Sequence, residues 1–275
     1  MVPNLPNIKP MFQDYLTRWQ LTPDGEPIIT STSQLLPVLD KDAPAMLKVA
    51  TGLEEKFGAG LMAWWNGDGA AGVLALEGDA VLLERAVRTQ SLLEMAQDGR
   101  DDEACRIICK VVATLHSPRQ LIAPPVTPLT EWFRELTPAA ELHGGILTLC
   151  TETAQELLAQ PQDETVLHGD IHHGNILDFG GRGWLAIDPK SLRGERGFDY
   201  ANLFCNPDGQ TAAAPGRLAR RADVVASASG LDRRRLLMWV LAWSGLSAVW
   251  MLSDGDAPDH ALTIASQAAA ELGLP

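Results

Sequence analysis

The sequence predicts an α+β protein with two lobes, a small strand-rich lobe followed by a larger helical one. Up to residue 86, apolar residues form short segments of strand length separated by turn residues. Beyond that point they recur at helical spacing over longer stretches. Strands followed by helices, rather than alternating with them, are typical of the α+β class. We therefore place one domain at residues 1–86, a second at residues 87–275, and a hinge near residues 84–88.

The elements of the first domain are bounded by clear turn signals. Gly78-Asp79 separates two apolar segments and predicts a hairpin. Residues 66–69, Asn-Gly-Asp-Gly, end a stretch of helical spacing. Together these signals predict one helix at 54–64 and strands at 25–30, 45–50, 73–77 and 80–86.

The second domain is predicted to be mostly helical, with a second hairpin within residues 171–188. Trp239, Trp243 and Trp250 form a stripe at helical spacing, the pattern expected of a core face. Apolar residues recur at helical spacing in the stretches 89–116, 129–160, 214–229, 231–252 and 258–272.

Composition and charge limit the location and the partners. The chain has 46% hydrophobic and 21% charged residues, an ordinary globular balance. We find no apolar run near the roughly 20 residues that span a bilayer, and the first ten residues lack a signal-peptide pattern. We therefore expect a cytoplasmic protein without membrane contact. A net charge of −13 argues against a nucleic-acid partner and suits a cationic small molecule, although solubility alone would also explain it.

The segment VLHGDIHHGNILDFGGRGWLAIDPKS, residues 166–191, carries the chemistry. Strands at 176–179 and 184–187 bracket the four residues 180–183. If those four form the turn, 176 pairs with 187 and 179 with 184, which places Asn175 opposite Asp188. Directly opposed side chains lie about 5 Å apart. An amide oxygen and a carboxylate at that separation suit one Mg²⁺ ion, which prefers oxygen ligands.

Asp170 lies five residues before Asn175. Kinase-type phosphoryl transfer uses an aspartate that accepts the hydroxyl proton, and an asparagine and a second aspartate that hold the metal ions. The kinase signature places the first two at this same separation. We therefore assign Asp170 as the catalytic base and Asn175 and Asp188 as metal ligands. The alternative is that Asp170 and Asn175 only cap turns.

Asp178 begins the sequence Asp-Phe-Gly, which spells the metal-binding motif of protein kinases. It would lie beside the hairpin turn, three residues or about 10 Å along the strand from Asn175. We therefore expect Asp188, and not Asp178, to be the ligand. The nearby histidines also invite a metal, but a hard ion prefers oxygen, and His168 is expected to brace the loop through hydrogen bonds.

Lys48 interrupts the apolar strand at 45–50. A kinase needs a strand lysine on the nucleotide phosphates, paired with a helix glutamate. Lys48 fits the first role and Glu55, in the next helix, the second, unless Lys48 simply points to solvent. In the same template hinge amides hold the adenine of ATP, which adds three nucleotide-binding candidates, Glu84, Arg85 and Ala86.

Four segments resemble the aminoglycoside phosphotransferases, which share the protein-kinase fold. They are LHGDIHHGNIL, GRGWLAIDPKSLRGERGFDYANLFCNP, WWNGDGAAGVLALEGDAVLLERA and GLSAVWMLSDGD. The likeness covers most of the chain from about residue 45 onward. It looks closest to the streptomycin 6-phosphotransferase branch, which is grouped as aminoglycoside/hydroxyurea antibiotic resistance kinases.

The resemblance implies a kinase that uses ATP and Mg²⁺ to phosphorylate a hydroxyl of an aminoglycoside, most specifically the 6-hydroxyl of streptomycin, and so gives antibiotic resistance. It implies the roles already assigned to the Asp/Asn/Asp set and Lys48, and it makes Asp199 a structural anchor of the catalytic loop. The sequence departs from the kinase pattern at residues 30–45, which contain no glycine for a phosphate loop. Thr30 to Ser33 are expected to contact phosphate instead.

A streptomycin-like substrate carries guanidinium groups, which carboxylates and aromatic faces bind. Two other functions stay open: a kinase for another small metabolite, such as an amino alcohol or a sugar, and a pseudokinase that binds nucleotide without turnover. The absent glycine loop favours the pseudokinase, and the complete Asp/Asn/Asp set disfavours it. Four acidic residues are candidates for the substrate pocket, each with a solvated surface charge as the competing explanation: Glu131, Glu195, Asp254 and Asp256.

Overall fold

A computed structural model describes residues 10–30 and 32–275, and for Pro10 and residues 53–56 it describes the backbone alone. The first region contains α1 (Pro10–Arg18), β1 (Thr22–Pro23), β2 (Ile28–Ile29), β3 (Ser33–Asp40), β4 (Ala43–Ala50), α2 (Leu53–Trp65), β5 (Val73–Glu77) and β6 (Ala80–Glu84). Its strands form one antiparallel sheet in the order β1–β3–β4–β6–β5, with β2 pairing β3. The predicted hairpin at Gly78-Asp79 and the predicted helix are both confirmed.

Three elements of this region, α1, β1 and β3, were not predicted. β3 pairs with β4 along its whole length, and α1 precedes the sheet, so the prediction of a single helix here is wrong. Pro37 lies inside β3, and a proline argues against a strand when the sequence is read alone. α1 places Phe12 and Leu16 in an apolar cluster with the outer face of the sheet, which explains why the helix is there.

The second region contains α3 (Leu92–Gln97), α4 (Asp101–Leu115), β7 (Thr127–Pro128), α5 (Leu129–Trp132), α6 (Leu136–His143), α7 (Ile146–Ala159), β8 (Glu164–Leu167), β9 (Ile176–Asp178), β10 (Trp184–Ala186), β11 (Leu192–Glu195), α8 (Gly209–Ala212), α9 (Arg217–Ser229), α10 (Arg233–Asp254) and α11 (Asp259–Leu272). β11 pairs with β8 and with β7, and β9 with β10. Every predicted helical stretch contains a helix. The two-lobed α+β fold is thus confirmed, while the domain boundary at residue 86 stays a prediction.

α10 runs through the core of the second region. Every residue from 236 to 246 is buried, so the helix is apolar all round rather than along one stripe. The expectation that no segment is long and apolar enough to cross a membrane is wrong for α10. However, 72% of its most apolar stretch is buried inside the fold, which is typical of a core helix.

The hairpin β9–β10 has a register one residue away from the predicted one. Asp178 pairs with Trp184 and Ile176 with Ala186. The reason is that Phe179 belongs to the turn: its amide donates to the Gly183 carbonyl at 2.8 Å, across the short 3₁₀ turn at 180–182. Asn175 therefore lies opposite Ile187, and the prediction that it faces Asp188 directly is wrong.

Candidate active site

The loop between β8 and β9 carries Asp170 and is anchored from beneath by Asp199. The Asp199 carboxylate accepts from the amides of His168 and Gly169, at 2.9 and 2.7 Å, and from the His116 ring at 2.7 Å. Burial raises the pKa of Asp199, but the hydrogen bonds from His116 and Gly169 lower it more, and the net pKa lies below its ordinary value. Asp199 is therefore an ionised anchor of the loop, as expected.

His168 braces the same loop, which confirms the sequence prediction. Its Nδ1 accepts from the amide of Asp170 at 3.2 Å, so the proton lies on Nε2, which donates to the Ile187 carbonyl at 2.9 Å. The ring is fully buried and stacks on Trp65 at 6.0 Å. Burial lowers the pKa of His168, which keeps the ring neutral. This neutral ring ties the Asp170 loop to the strand that leads to Asp188.

Asp170 and Asn175 are in direct contact. The Asn175 side-chain amide donates to the Asp170 carbonyl at 2.9 Å and to its Oδ2 at 3.2 Å. Because the nitrogen and oxygen of an amide lie at opposite corners, Oδ1 of Asn175 faces away from Asp170. Asn175 thus holds the predicted base through its amide nitrogen.

Asp188 lies at the open end of the hairpin with a left-handed backbone, at φ +64°. This conformation is uncommon for residues other than glycine, and aspartate and asparagine adopt it more readily than most. Because of this conformation, the side chain of Asp188 does not follow the alternating side-chain directions of the strand. Its carboxylate forms an ion pair with Lys48 of β4. On the loop, His172 Nε2 lies 3.9 Å from Asp170 Oδ1.

Lys48 and Asp188 line a cavity of about 240 Å³ between the sheet and the hairpin. One end of the cavity reaches the predicted hinge, where the side chain of Glu84 pairs with Arg182 and that of Arg85 with Asp24. Because these two side chains are paired elsewhere, we expect the hinge to contact a ligand in the cavity through its main chain. The apolar walls suit a flat aromatic ring and are formed by Leu35, Met46, Val81, Leu83, Leu177 and Phe179.

The other predicted nucleotide contacts have mixed outcomes. Thr30 and Ser33 line the cavity where β2 turns into β3, and the Thr30 hydroxyl donates to the Ser33 carbonyl at 2.9 Å. Ser31, between them, lies outside the described residues. Ala86 lines the cavity beside the hinge. The side chain of Glu55, the expected partner of Lys48, also lies outside the described part of the structure, so that pairing stays a prediction.

The oxygen donors fit a hard cation. Within the described residues, no group of three or more His, Cys, Asp or Glu side chains is placed to hold a metal ion. The predicted ligands, the Asn175 amide oxygen and the Asp188 carboxylate, would hold an ion together with oxygens from a bound phosphate, and this role of the two residues stays a prediction. Mg²⁺ accepts this arrangement, since it takes one or two protein ligands together with substrate phosphates.

Asp178 has a different task. Its carboxylate accepts from the amides of Thr89, Gln90 and Gly180 at 3.1, 3.2 and 2.8 Å, and from the Thr89 hydroxyl. The Thr89 hydrogen bond is the main reason that the pKa of Asp178 lies below its ordinary value. The Asp178 carbonyl also accepts from the amides of Val87 and Arg88. Asp178 thus fastens the chain that leaves the hinge to the hairpin.

Glu195 cannot serve the substrate, so that prediction is wrong. Its side chain is 2% exposed and forms a two-fold ion pair with Arg235, at 2.7 and 2.6 Å. It also accepts from Trp239 Nε1 at 2.8 Å and from the Gln162 amide at 2.9 Å. Glu131, Asp254 and Asp256 are exposed, and their contact with substrate stays a prediction.

A cluster of tryptophans is linked to Asp170 by hydrogen bonds. Trp132, Trp243 and Trp250, here called the tryptophan cluster, pack edge to face with ring centroids 5.2 and 5.4 Å apart. Trp250 Nε1 donates to Glu135 at 3.1 Å. Trp243 Nε1 donates to Asn202, which donates to Asp170. Neither Glu135 nor Asn202 stands at a diagnostic spacing in the sequence, so neither was predicted as a site residue.

The fold matches those of small-molecule kinases. A choline/ethanolamine kinase family protein from Mesorhizobium loti superposes with a TM-score of 0.67 at 15% identity, over 97% of this chain and 92% of that one. An aminoglycoside phosphotransferase solved with ADP and hygromycin B gives 0.66 at 11% identity, over 95% and 97%. At these identities the likeness shows the fold alone. The molecule is therefore a protein of the protein-kinase-like fold.

The family follows from sequence comparison. The model of the aminoglycoside/hydroxyurea antibiotic resistance kinase family matches residues 18–255, and the chain belongs to that family. A streptomycin 3''-kinase of Klebsiella pneumoniae is 49% identical over 245 residues, 87% of this chain and 92% of the relative. A streptomycin 6-kinase of Streptomyces glaucescens is 33% identical over 264 residues, 90% and 84%. The chain is thus a kinase with an alcohol group as acceptor, which confirms the predicted enzyme class.

Proposed function

We propose that the protein transfers the γ-phosphoryl group of ATP to streptomycin, at the 3''-hydroxyl. The observation that carries the proposal is the contact between Asp170 and Asn175 beside a cavity that holds the Lys48–Asp188 ion pair. These are the residue types that kinase chemistry requires, within one site.

The choice of hydroxyl departs from the 6-position expected from the sequence. The streptomycin 3''-kinase shares 49% of aligned residues with this chain, whereas two streptomycin 6-kinases share 33% and 31%. This difference favours the 3''-hydroxyl. Phosphorylation at the 6-hydroxyl is the alternative that product mapping would reveal.

The chemistry follows from the position of each group. The apolar walls and the hinge main chain hold the adenine, and Lys48 draws the phosphates toward Asp188. Bound Mg²⁺ would neutralise charge on the triphosphate. Asp170 orients the acceptor hydroxyl and takes its proton as the new oxygen–phosphorus bond forms and the bond from the γ-phosphorus to the bridging oxygen breaks, which releases ADP.

The surroundings of the base suit a cationic acceptor. In this proposal the acceptor meets the half-buried rings of Trp132 and Trp250. Their cluster is linked to Asp170 by two hydrogen bonds, through Trp243 and Asn202, and Glu135 lies on its edge. Guanidinium groups bind well to aromatic faces and to carboxylates. The net charge of −13 also attracts a cation during encounter.

The test is an assay of phosphate transfer from ATP with Mg²⁺ present, followed by mapping of the product by mass spectrometry and NMR. Acceptors are streptomycin, other aminoglycosides, hydroxyurea, choline and homoserine. We expect turnover with streptomycin and phosphate on the 3''-oxygen. Turnover only with a non-aminoglycoside would show that streptomycin is not the substrate. ATP binding without turnover on any acceptor would favour a pseudokinase.

Asp170→Ala tests the mechanism. We expect turnover to fall about 10³–10⁴-fold while ATP still binds, because the variant removes the proton acceptor and leaves the cavity intact. Asp14→Ala, at an exposed position of α1, is the matched control and should retain full activity. Near-normal turnover in Asp170→Ala would remove this residue from the mechanism.

A further inference from the structure

The Asp170 carboxylate is held from two sides by two different amides. Asn175 Nδ2 donates to Oδ2 at 3.2 Å, and Asn202 Nδ2 donates to Oδ1 at 2.7 Å. Asn175 belongs to the same loop as Asp170, but Asn202 lies 32 residues after Asp170 in the chain, in the 3₁₀ turn at 202–205. With one donor on each oxygen, rotation of the carboxylate breaks at least one hydrogen bond.

The orientation of the Asn202 amide is itself determined by its neighbours. Its Oδ1 accepts from Trp243 Nε1 at 3.1 Å and from Asn206 Nδ2 at 3.1 Å. An indole nitrogen can only donate. A flipped Asn202 would set its NH₂ against that N–H and its oxygen against the carboxylate of Asp170, so both contacts would become repulsive. Trp243 therefore dictates that Asn202 presents a donor to Asp170.

Trp243 is a rigid starting point for this chain of hydrogen bonds. Its side chain is 6% exposed and lies in the middle of α10. Phe198 and Trp250 pack against it edge to face, with ring centroids 5.6 and 5.4 Å away. Edge-to-face packing on two sides leaves the indole no alternative rotamer without a loss of packing. The orientation of Asp170 is thus linked to the core of the helical lobe.

We propose that Asn202 is a positioning residue for Asp170, and that Trp243 acts through Asn202 to fix the same carboxylate. The proposal rests on the proposed role of Asp170 as the base. Its physical content is preorganisation: the base is held in the reactive orientation before the acceptor arrives, and a small misplacement of a reacting group costs about 10²-fold in rate. Trp243 also belongs to the tryptophan cluster. The same side chain therefore stabilises both the proposed binding site of the acceptor and the orientation of the base.

The first test compares Asn202→Ala with Asn202→Asp. We expect Asn202→Ala to lower kcat about 10–100-fold and to leave the KM for ATP within about twofold, because Asn202 does not line the nucleotide cavity. Asn202→Asp keeps the shape but sets a carboxylate against Asp170 in place of a donor, so its kcat should be lower still at neutral pH. A role in folding alone would instead make Asn202→Ala, which leaves a cavity, the worse variant in thermal unfolding and in activity.

The second test uses Trp243→Phe, which keeps an aromatic ring and removes the N–H donor together with the five-membered ring of the indole. We expect a smaller loss, about 3–10-fold in kcat. The double variant Asn202→Ala/Trp243→Phe should be no slower than Asn202→Ala alone, because Trp243 acts through Asn202. Trp239→Phe is the matched control: it removes an equally buried indole donor, whose acceptor is Glu195 and not Asn202, and it should leave kcat unchanged.

Two results would overturn the proposal. One is a wild-type kcat in Asn202→Ala when Asp170→Ala is inactive, which would reject the positioning role and leave the proposed function standing. The other is an additive loss in the double variant, which would reject the link through Trp243. If Asp170→Ala itself is active, the base assignment fails first, and this proposal fails with it.

Discussion

The two ends of the hairpin β9–β10 each carry an aspartate, and the two carboxylates differ in their exposure and in their hydrogen-bond partners. Near the turn, Asp178 is 6% exposed and accepts four hydrogen bonds from main-chain and hydroxyl donors. At the open end, the side chain of Asp188 is 38% exposed, has a left-handed backbone and meets Lys48 in the cavity.

The difference separates carboxylates that hold the fold together from carboxylates that are placed to meet a ligand. Once its lone pairs are given to protein donors, a carboxylate such as Asp178, Asp199 or Glu195 has little left for a ligand. Asp188 is paired through a lysine side chain, a flexible point charge that can follow an incoming phosphate. A motif that spells Asp-Phe-Gly therefore says less about metal binding than the set of donors around the carboxylate.

The largest expected effect is on catalysis, at Asp188. Asp188→Asn should lower kcat at least about 10³-fold, because it removes the charge that is proposed to face the nucleotide phosphates and the metal. Steady-state kinetics with streptomycin over a range of Mg²⁺ concentrations measures it. Asp178→Asn, at the other end of the hairpin, is the control and should stay within about threefold of the wild type. A large loss of kcat in Asp178→Asn, with a near-normal kcat in Asp188→Asn, would contradict the distinction between the two aspartates.

Glu195→Gln tests the same distinction in the helical lobe, and its expected effect is on stability. Removing the charge leaves Arg235 without its partner in a largely buried site, which should cost about 3 kcal/mol of unfolding free energy. Urea denaturation followed by circular dichroism measures the loss. The KM for the acceptor should not change. A raised KM at unchanged stability would restore Glu195 as a substrate residue.

The smallest expected effect is the stability loss in Asp178→Asn, about 1–2 kcal/mol at neutral pH. The direction in which this stability loss changes with pH follows from the lowered pKa of Asp178 in the folded state. The unfolded chain binds the proton more tightly, so the stabilisation is complete above the ordinary pKa of an aspartate and is lost as the pH falls through the folded value. The gap between wild type and variant should therefore close in acid. A gap that is constant with pH would show that the charge of Asp178 contributes nothing.

Sequence reasoning was accurate where a short stretch of chain decides the structure. α2 ends where predicted because Asn66 adopts the left-handed conformation, at φ +52°, that this residue type tolerates. Gly78-Asp79 makes the predicted hairpin. The five-residue separation of Asp170 and Asn175 brings their side chains into contact within one loop. In each case neighbouring residues fix the backbone by local sterics and turn chemistry.

What the tertiary structure decided lies in contacts between residues far apart in the chain. The sequence does not show that Phe179 enters the turn, and that one residue changed the register of the whole hairpin. It does not show that Arg235 and Trp239 of α10 surround Glu195, or that Asn202 reaches Asp170. The composition of the sequence and the periodicity of its apolar residues determine the helices, the strands and the type of chemistry. Burial and long-range hydrogen bonding then decided which of several similar carboxylates face the ligand, because the free energy of a charge depends on the groups that packing brings around it.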